Sequence, residues 1–197
     1  MKKRDWSVYL NIAILTFFTI WFVAVKNYEF LLYTVTLGLL IYILAKTDKI
    51  FNYLSLAKWG FTVWLFLHLA GGSFRVAGER LYDFMFFTLI GDPYFILRYD
   101  QVIHAFCYFV ITLFVFSMVM YISRKKIHPF LIGLIAVLAS MGISAMNEII
   151  EFSTVAFFQA VGVGNYFNNA LDLVFNLIGA GLALVYVSIR NKHNNSS

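Results

Sequence analysis

Long apolar runs separated by short polar clusters dominate the chain. A helix needs about 20 apolar residues to cross the hydrocarbon core of a bilayer. Runs that meet or approach this length predict an all-α membrane bundle with six transmembrane helices, at about 8–25, 30–45, 51–70, 100–122, 130–157 and 169–189. We expect them to form a single transmembrane domain over residues 1–197.

The long connection 71–99 departs from this pattern. It is more aromatic than an ordinary soluble loop, and it contains the apolar stretch 84–90, which is too short to span a bilayer. We therefore expect an outer loop with an interfacial or re-entrant segment.

Composition supports a membrane protein. The chain is 61% hydrophobic and only 13% charged, and its mean hydropathy is +0.80. These values exclude an ordinary soluble domain. The single cysteine, Cys107, lies inside an apolar run, so no disulfide can form within one chain.

Lysine and arginine positions predict the orientation. If the N-terminus is cytoplasmic, most of the 15 lysines and arginines fall in cytoplasmic segments, leaving Lys26, Arg75, Arg80 and Arg98 outside. This agrees with the positive-inside rule and predicts that both termini are cytoplasmic. The pI near 9.3 thus reflects topology, and we expect membrane lipids rather than nucleic acid as partners.

Several polar residues fall at one depth. At 1.5 Å per residue, Glu148, Asp172 and His104 each lie roughly 27–30 Å from the cytoplasmic ends of their helices. That is near the outer edge of a hydrocarbon core about 30 Å thick. His68 reaches a similar level when the count starts at Lys49, but lies near mid-membrane when it starts at Lys58.

These residues also share helix faces. Asp100 and His104 are four residues apart, Glu148 and Glu151 three apart, and a polar stripe follows the last helix at Asn169, Asp172 and Asn176. An ionised group facing lipid at the bilayer centre costs about 2.5–3.5 kcal/mol or more, so such faces normally point inward. We expect one extracytoplasmic cavity that gathers Asp100, His104, Glu148, Glu151 and Asp172, with His68 at its edge.

Three segments resemble VanZ-like membrane proteins. "RYDQVIHAFCYF" is similar to their Asp-x-x-x-His helix start, "MNEIIEF" to their acidic helix, and "NALDLVFNLIGAGLAL" to their closing Asp-x-x-x-Asn-x-x-Gly helix. "LHLAGG" and the paired glutamates also resemble YjdF-type inner-membrane proteins. The resemblance covers about 64–185 and places the family's polar signature on Asp100, His104, Glu148, Glu151, Asp172 and Asn176, with His68 in the YjdF-like pattern alone.

The resemblance implies a multi-pass protein of the cell (inner) membrane, and the association of VanZ with glycopeptide resistance points to envelope lipids or cell-wall precursors. The chain departs from the YjdF-type pattern at "VGVGNYFNNA", which replaces a Gly-Asp and tryptophan-rich stretch. This departure leaves the role of Asn169 open.

The residues fit a membrane-embedded hydrolase or transferase acting on an envelope lipid or lipid-linked substrate. We expect Glu148, Glu151, Asp100, His104 and Asp172 as catalytic residues, since carboxylates and imidazoles serve as general acids and bases. A divalent metal is the cofactor this set would suit, with its ligands drawn from His68, His104, Glu148 and Glu151. We expect substrate contacts from Arg75, Arg98 and Asn176, the arginines clamping a lipid phosphate.

Two other functions remain open. Intramembrane carboxylates and histidines are the usual parts of a proton-coupled carrier. However, few ionisable residues lie in the inner halves of the helices, and the chain lacks the internal repeats of many transporters. The polar residues of a non-enzymatic scaffold or regulatory protein would only lock helix packing.

Overall fold

Six helices lie within residues 5–124, 126–158 and 166–194, which are the parts of the chain that the computed structural model describes. They are α1 (Trp6–Ala24), α2 (Tyr28–Phe51), α3 (Ser55–Ser73), α4 (Tyr99–Ile122), α5 (Pro129–Phe158) and α6 (Tyr166–Asn194). The six predicted helices are thus confirmed, and the largest shift is at the end of α2, which continues to Phe51 instead of ending near residue 45. Lys2, Lys3, Arg4 and Lys125, which entered the orientation argument, lie outside the described residues.

Five of the described helices are long and apolar enough to cross a membrane; they are all except α3. Lys58, His68 and three glycines lower the hydropathy of α3. The count of six spans therefore stays a prediction.

Two short antiparallel strand pairs lie in the loop between α3 and α4, which the sequence predicted as an interfacial or re-entrant segment. Strand β1 (Arg75–Val76) pairs with β2 (Glu79–Arg80), and β3 (Met85–Ile90) pairs with β4 (Ile96–Arg98). The second pair contains most of the apolar stretch 84–90, whose phenylalanine, threonine and isoleucine residues favour extended backbone. A Gly-Asp-Pro turn then reverses the chain.

Contacts within the chain divide it into two compact units, residues 1–84 and 85–197. The first unit contains α1, α2 and α3, with Phe18, Phe22 and Leu65 buried in its core. Asn52 ends α2 in the left-handed conformation at φ 48°, which asparagine tolerates better than most residues. The predicted break between the second and third helices, at about 46–50, is therefore found at 52–54.

A lysine links the helix ends of the first unit. The Lys58 ammonium lies 2.7 Å from a carboxylate oxygen of Asp5 and 3.0 Å from one of Asp48. Asp5 precedes α1, Asp48 lies in the last turns of α2, and Lys58 lies in the first turn of α3. One cation thus holds three helix ends together.

In the second unit, the β3–β4 hairpin leads directly into α4. Gln101 is 1% exposed, and its side-chain oxygen accepts hydrogen bonds from the backbone N–H groups of Leu97 at 2.7 Å and Arg98 at 3.1 Å. A glutamine in the first turn that reaches back to the residues before the helix is part of a capping box. This cap fixes the start of α4, where Asp100 lies.

Candidate functional site

A close approach of two backbones aligns α4 with α6. A Cβ atom added at Gly179 would lie 1.8 Å from the backbone oxygen of Ala105, so only glycine fits there. Small residues permit such approaches between membrane helices. The approach places the polar stripe of α6 beside the Asp100–His104 face of α4.

The ring of His104 is held in one orientation. Asn176 is fully buried; its amide nitrogen donates to the Ser144 hydroxyl at 2.7 Å, and its amide oxygen lies 3.2 Å from Nδ1 of His104. Because that oxygen can only accept, Nδ1 of His104 carries the proton. Nε2 then faces Asp100, with the nitrogen 3.6 Å from the nearer carboxylate oxygen.

Three carboxylates each accept a hydrogen bond from an asparagine amide. Asn147 donates to Oε1 of Glu151 at 2.8 Å. Asn169 donates to Oε2 of Glu148 at 3.2 Å, and Asn168 donates to Oδ2 of Asp172 at 2.7 Å. The amides therefore orient the carboxylates without neutralising their charge.

Two carboxylate oxygens in this cluster lack a hydrogen-bond partner among the described residues. They are Oε1 of Glu148 and Oδ1 of Asp172. Glu148 is only 6% exposed, and Asp172 is fully buried. A buried ionised carboxylate is unfavourable unless it is paired, hydrogen-bonded or bound to a metal. Each oxygen is thus a position where a cation or a proton would be stabilised.

The ionisable side chains form two groups with metal-ligand spacing. The first is Asp100, His104 and Asp172, and the second is Glu148, Glu151 and Asp172. Within each group, one ligand atom per residue lies within 4.8 Å of the others. Imidazole and carboxylate ligands suit zinc, iron or manganese, and amide hydrogen bonds to the ligands are typical of protein metal sites. We call the five residues the acidic cluster.

Three residues predicted for the site make other contacts among the described residues. His68 belongs to the first unit, where its Nδ1 lies 2.6 Å from the Tyr82 hydroxyl and its ring stacks on Trp64 with centroids 5.0 Å apart. It is in neither ligand group of the described residues. Arg75, in the same unit, donates to the backbone oxygen of Gly78 at 3.0 Å. Arg98 belongs to the second unit, and its guanidinium lies 5.1 Å from the centroid of the Phe95 ring.

Two orienting residues had no assigned role in the sequence analysis. Asn147 and Asn168 each precede their acidic partners, Glu151 and Asp172, by four residues. An asparagine four residues before an acid on a helix is visible in the sequence, because that spacing brings the side chains together. Asn169, whose role the sequence left open, contacts Glu148 on the neighbouring helix, and no spacing rule reveals that contact.

Comparison with known proteins identifies a family but no characterised relative. No curated protein and no solved structure matches the chain. A family described as "Predicted membrane protein (DUF2238)" matches residues 7–193. This match covers the acidic cluster and, apart from Trp6, the five described helices able to span a membrane. The chain therefore belongs to the DUF2238 family of membrane proteins.

Proposed function

We propose that the protein is a membrane-embedded hydrolase or transferase that acts on a lipid or lipid-linked substrate of the cell envelope. The observation that carries this proposal is the pair of buried, unpartnered oxygens on Glu148 and Asp172, in a cluster that also contains His104. Strongly polar groups that the fold leaves unsatisfied are typical of sites that bind something else.

The position of the cluster favours a lipid substrate. Asp100 and His104 lie in the first two turns of α4, Asp172 lies near the start of α6, and the glutamates lie toward the end of α5. The distribution of lysine and arginine supports an orientation in which this end of the helices is on the extracytoplasmic side of the cell (inner) membrane and both termini are in the cytoplasm. The resemblance to VanZ-like proteins supports an envelope lipid as the substrate.

The cluster contains the groups needed to hydrolyse an ester. A water oxygen would bond to the ester's carbon or phosphorus, and the proton it loses would pass to Glu148 or Glu151 as general base. The ester's bond to its leaving oxygen then breaks, and that oxygen takes the proton back from the same glutamate. In a transfer reaction, an acceptor hydroxyl replaces water. A bound divalent cation would polarise the ester oxygen.

A proton-coupled carrier is less well supported than an enzyme. The rest of α4 after His104 contains no Asp, Glu, His, Lys or Arg, and neither does α5 before Glu148. The stretch of α6 between Asp172 and Arg190 also lacks them. A carrier needs a path of exchangeable groups across the whole membrane.

A purely structural role is also less well supported. Side-chain hydrogen bonds between membrane helices contribute about 0.6 kcal/mol on average. The unpartnered oxygens of Glu148 and Asp172 make no such bond among the described residues, so they cannot be explained by packing alone.

Purified protein tests the proposal in two measurements. The first is metal analysis of wild type, Glu148→Gln, His104→Ala and the exposed-site control Glu79→Gln. The second is mass spectrometry of an envelope lipid extract before and after incubation with each protein. We expect wild type and the control to bind metal and convert a lipid, and the two cluster variants to bind less metal and to lose the conversion.

Other outcomes identify the alternatives. Proton flux in liposomes that Glu148→Gln abolishes would favour the carrier. The proposal would be wrong if wild type left the lipid composition unaltered and the cluster variants differed from it only in thermal stability. That result would favour the non-enzymatic scaffold.

A further inference from the structure

The number of charges in the acidic cluster exceeds what one divalent cation can balance. Asp100, Glu148, Glu151 and Asp172 are four carboxylates, and His104 is neutral when it is a metal ligand. One divalent cation would leave two negative charges in a largely buried site, whereas two would leave none. Uncompensated buried charge is strongly destabilising.

The geometry provides a separate set of ligands for each of two ions. One ligand group contains His104 and Asp100, the other contains Glu148 and Glu151, and Asp172 belongs to both. The two ligand groups therefore differ in every member except one carboxylate, and a carboxylate has two oxygens with which to bridge a pair of ions.

The distance between His104 and Asp100 fits a shared ion. Two ligand atoms bound about 2.1 Å from one ion at a tetrahedral angle lie roughly 3.4 Å apart. Nε2 of His104 and Oδ1 of Asp100 are 3.6 Å apart. Because Nδ1 of His104 faces Asn176, Nε2 is the nitrogen available to an ion.

We infer that the acidic cluster binds two divalent cations bridged by Asp172, and that the loaded pair takes a phosphate ester as substrate. This inference rests on the proposed function and specifies its cofactor and substrate class. A site with four carboxylates and two divalent cations is neutral, so an anionic phosphate can enter it. With one ion, the remaining negative charge would repel phosphate. Paired metal ions about 3.5–4 Å apart are suited to clamping the oxygens of a phosphoryl group.

Manganese titration of the purified full chain tests the number of ions. Mn²⁺ is the probe, counted by elemental analysis and observed by electron paramagnetic resonance. We expect about two Mn²⁺ per chain at saturation and the exchange-coupled spectrum of ions held in one site. One ion per chain with the spectrum of an isolated ion would overturn the two-ion inference.

Three substitutions test the bridge. Asp172→Asn should abolish the coupled spectrum and lower the affinity for both ions, because the Asp172 carboxylate belongs to both ligand groups. Asp100→Asn and Glu151→Gln should each leave one ion bound with an isolated-ion spectrum, which shows at the same time that the protein is folded. If Asp172→Asn instead retained the coupled spectrum, the bridge would be wrong.

Phosphate-containing probes test the substrate class. They are inorganic phosphate and phosphatidylcholine vesicles containing phosphatidic acid, whose phosphate is a monoester. Pure phosphatidylcholine vesicles, whose phosphate is a diester, are the control for the bilayer. We expect both phosphate probes to alter the coupled spectrum. An effect of phosphatidic acid alone would assign the phosphate to a lipid headgroup. If neither changed the spectrum, the phosphate-ester inference would be wrong.

These outcomes separate this inference from the proposed function. Lipid conversion by a protein that binds one ion would preserve the enzyme and reject the pair of ions. Absence of both metal and lipid conversion would reject the two together.

Discussion

Asn168 lies one helical turn before Asp172 on α6 and donates its amide to Oδ2 of that aspartate at 2.7 Å. The bond holds the one carboxylate that belongs to both ligand groups. We expect Asn168→Ala to weaken Mn²⁺ binding by about 10–100-fold, the usual effect of removing a group that orients a metal ligand. Calorimetric titration measures this affinity.

Asn191→Ala is the matched control for that experiment. Asn191 lies on the same helix, and its amide donates to the backbone oxygen of Val187 rather than to an acid. Equal losses of affinity in the two variants would mean that Asn168 acts through general helix stability and not through Asp172.

Gly179 should tolerate no side chain. In Gly179→Ala, the new methyl group would lie 1.8 Å from the Ala105 backbone oxygen, so α4 and α6 must separate. We expect a loss of about 1–3 kcal/mol in the free energy of unfolding, typical of overpacked positions. Denaturant unfolding in detergent measures the loss.

Gly181→Ala is the control, because a Cβ there meets no atom within 4 Å. Its free energy of unfolding should stay unchanged or rise by up to about 1 kcal/mol, since alanine favours helix more than glycine. If Gly179→Ala behaved like this control, the close approach of the two helices would be wrong.

His68 and His104 should differ as metal ligands. His68 forms a hydrogen bond with Tyr82 and stacks on Trp64, and it is in neither described ligand group. We therefore expect His68→Ala to keep the wild-type metal content and His104→Ala to reduce it. If the two variants lost equal amounts of metal, His68 would be a metal ligand, as the sequence analysis predicted.

The ion pair of Asp5, just before α1, should make the stability of the protein depend on pH. Burial alone would raise the pKa of Asp5, but hydrogen bonds from Lys58 and Ser7 outweigh it and lower the pKa below the ordinary 3.8. The stabilisation is therefore complete above that value and is lost as the pH falls through the lower pKa of the folded protein. Its size should be below about 1 kcal/mol, because both side chains are partly exposed.

Asp5→Asn is the variant that measures this contribution, since asparagine still accepts the bond from the Ser7 N–H at the start of α1. The difference in unfolding free energy between wild type and Asp5→Asn should be constant above about pH 5 and shrink toward about pH 3. A difference that stayed constant over this range would show that the ion pair adds nothing.

Much of the helical architecture was predictable, because hydropathy reports the boundaries of membrane helices directly. Residues 100–122 and 130–157 differ from the observed helices by a single residue at each displaced end. The end of α2 was harder to place, because the apolar run stops at the polar residues 46–49, whereas the helix continues to Phe51 and ends only at the left-handed backbone of Asn52. The strand Met85–Ile90 was missed because a short apolar run has no distinct periodicity.

The acidic cluster could be assembled only in part. Common depth and face bring Asp100, His104 and Asp172 to one level, but they do not specify which oxygens accept a hydrogen bond. The separation of Glu148's two oxygens, one held by Asn169 and one unpartnered, depends on the rotation of α5 against α6. That rotation is set by contacts such as the hydrogen bond from Asn176 of α6 to Ser144 of α5, residues that lie far apart in the sequence.

The cap at Gln101 has a mechanical consequence. Its side chain fastens the last residues of the β3–β4 hairpin to the first turn of α4, and Asp100 is the residue immediately before it. The hairpin exposes Phe86, Phe87 and Leu89 on its surface. Because these hydrogen bonds join the hairpin to the helix, a membrane or protein that bound the exposed side chains and displaced the hairpin would also displace the first turn of α4, including Asp100.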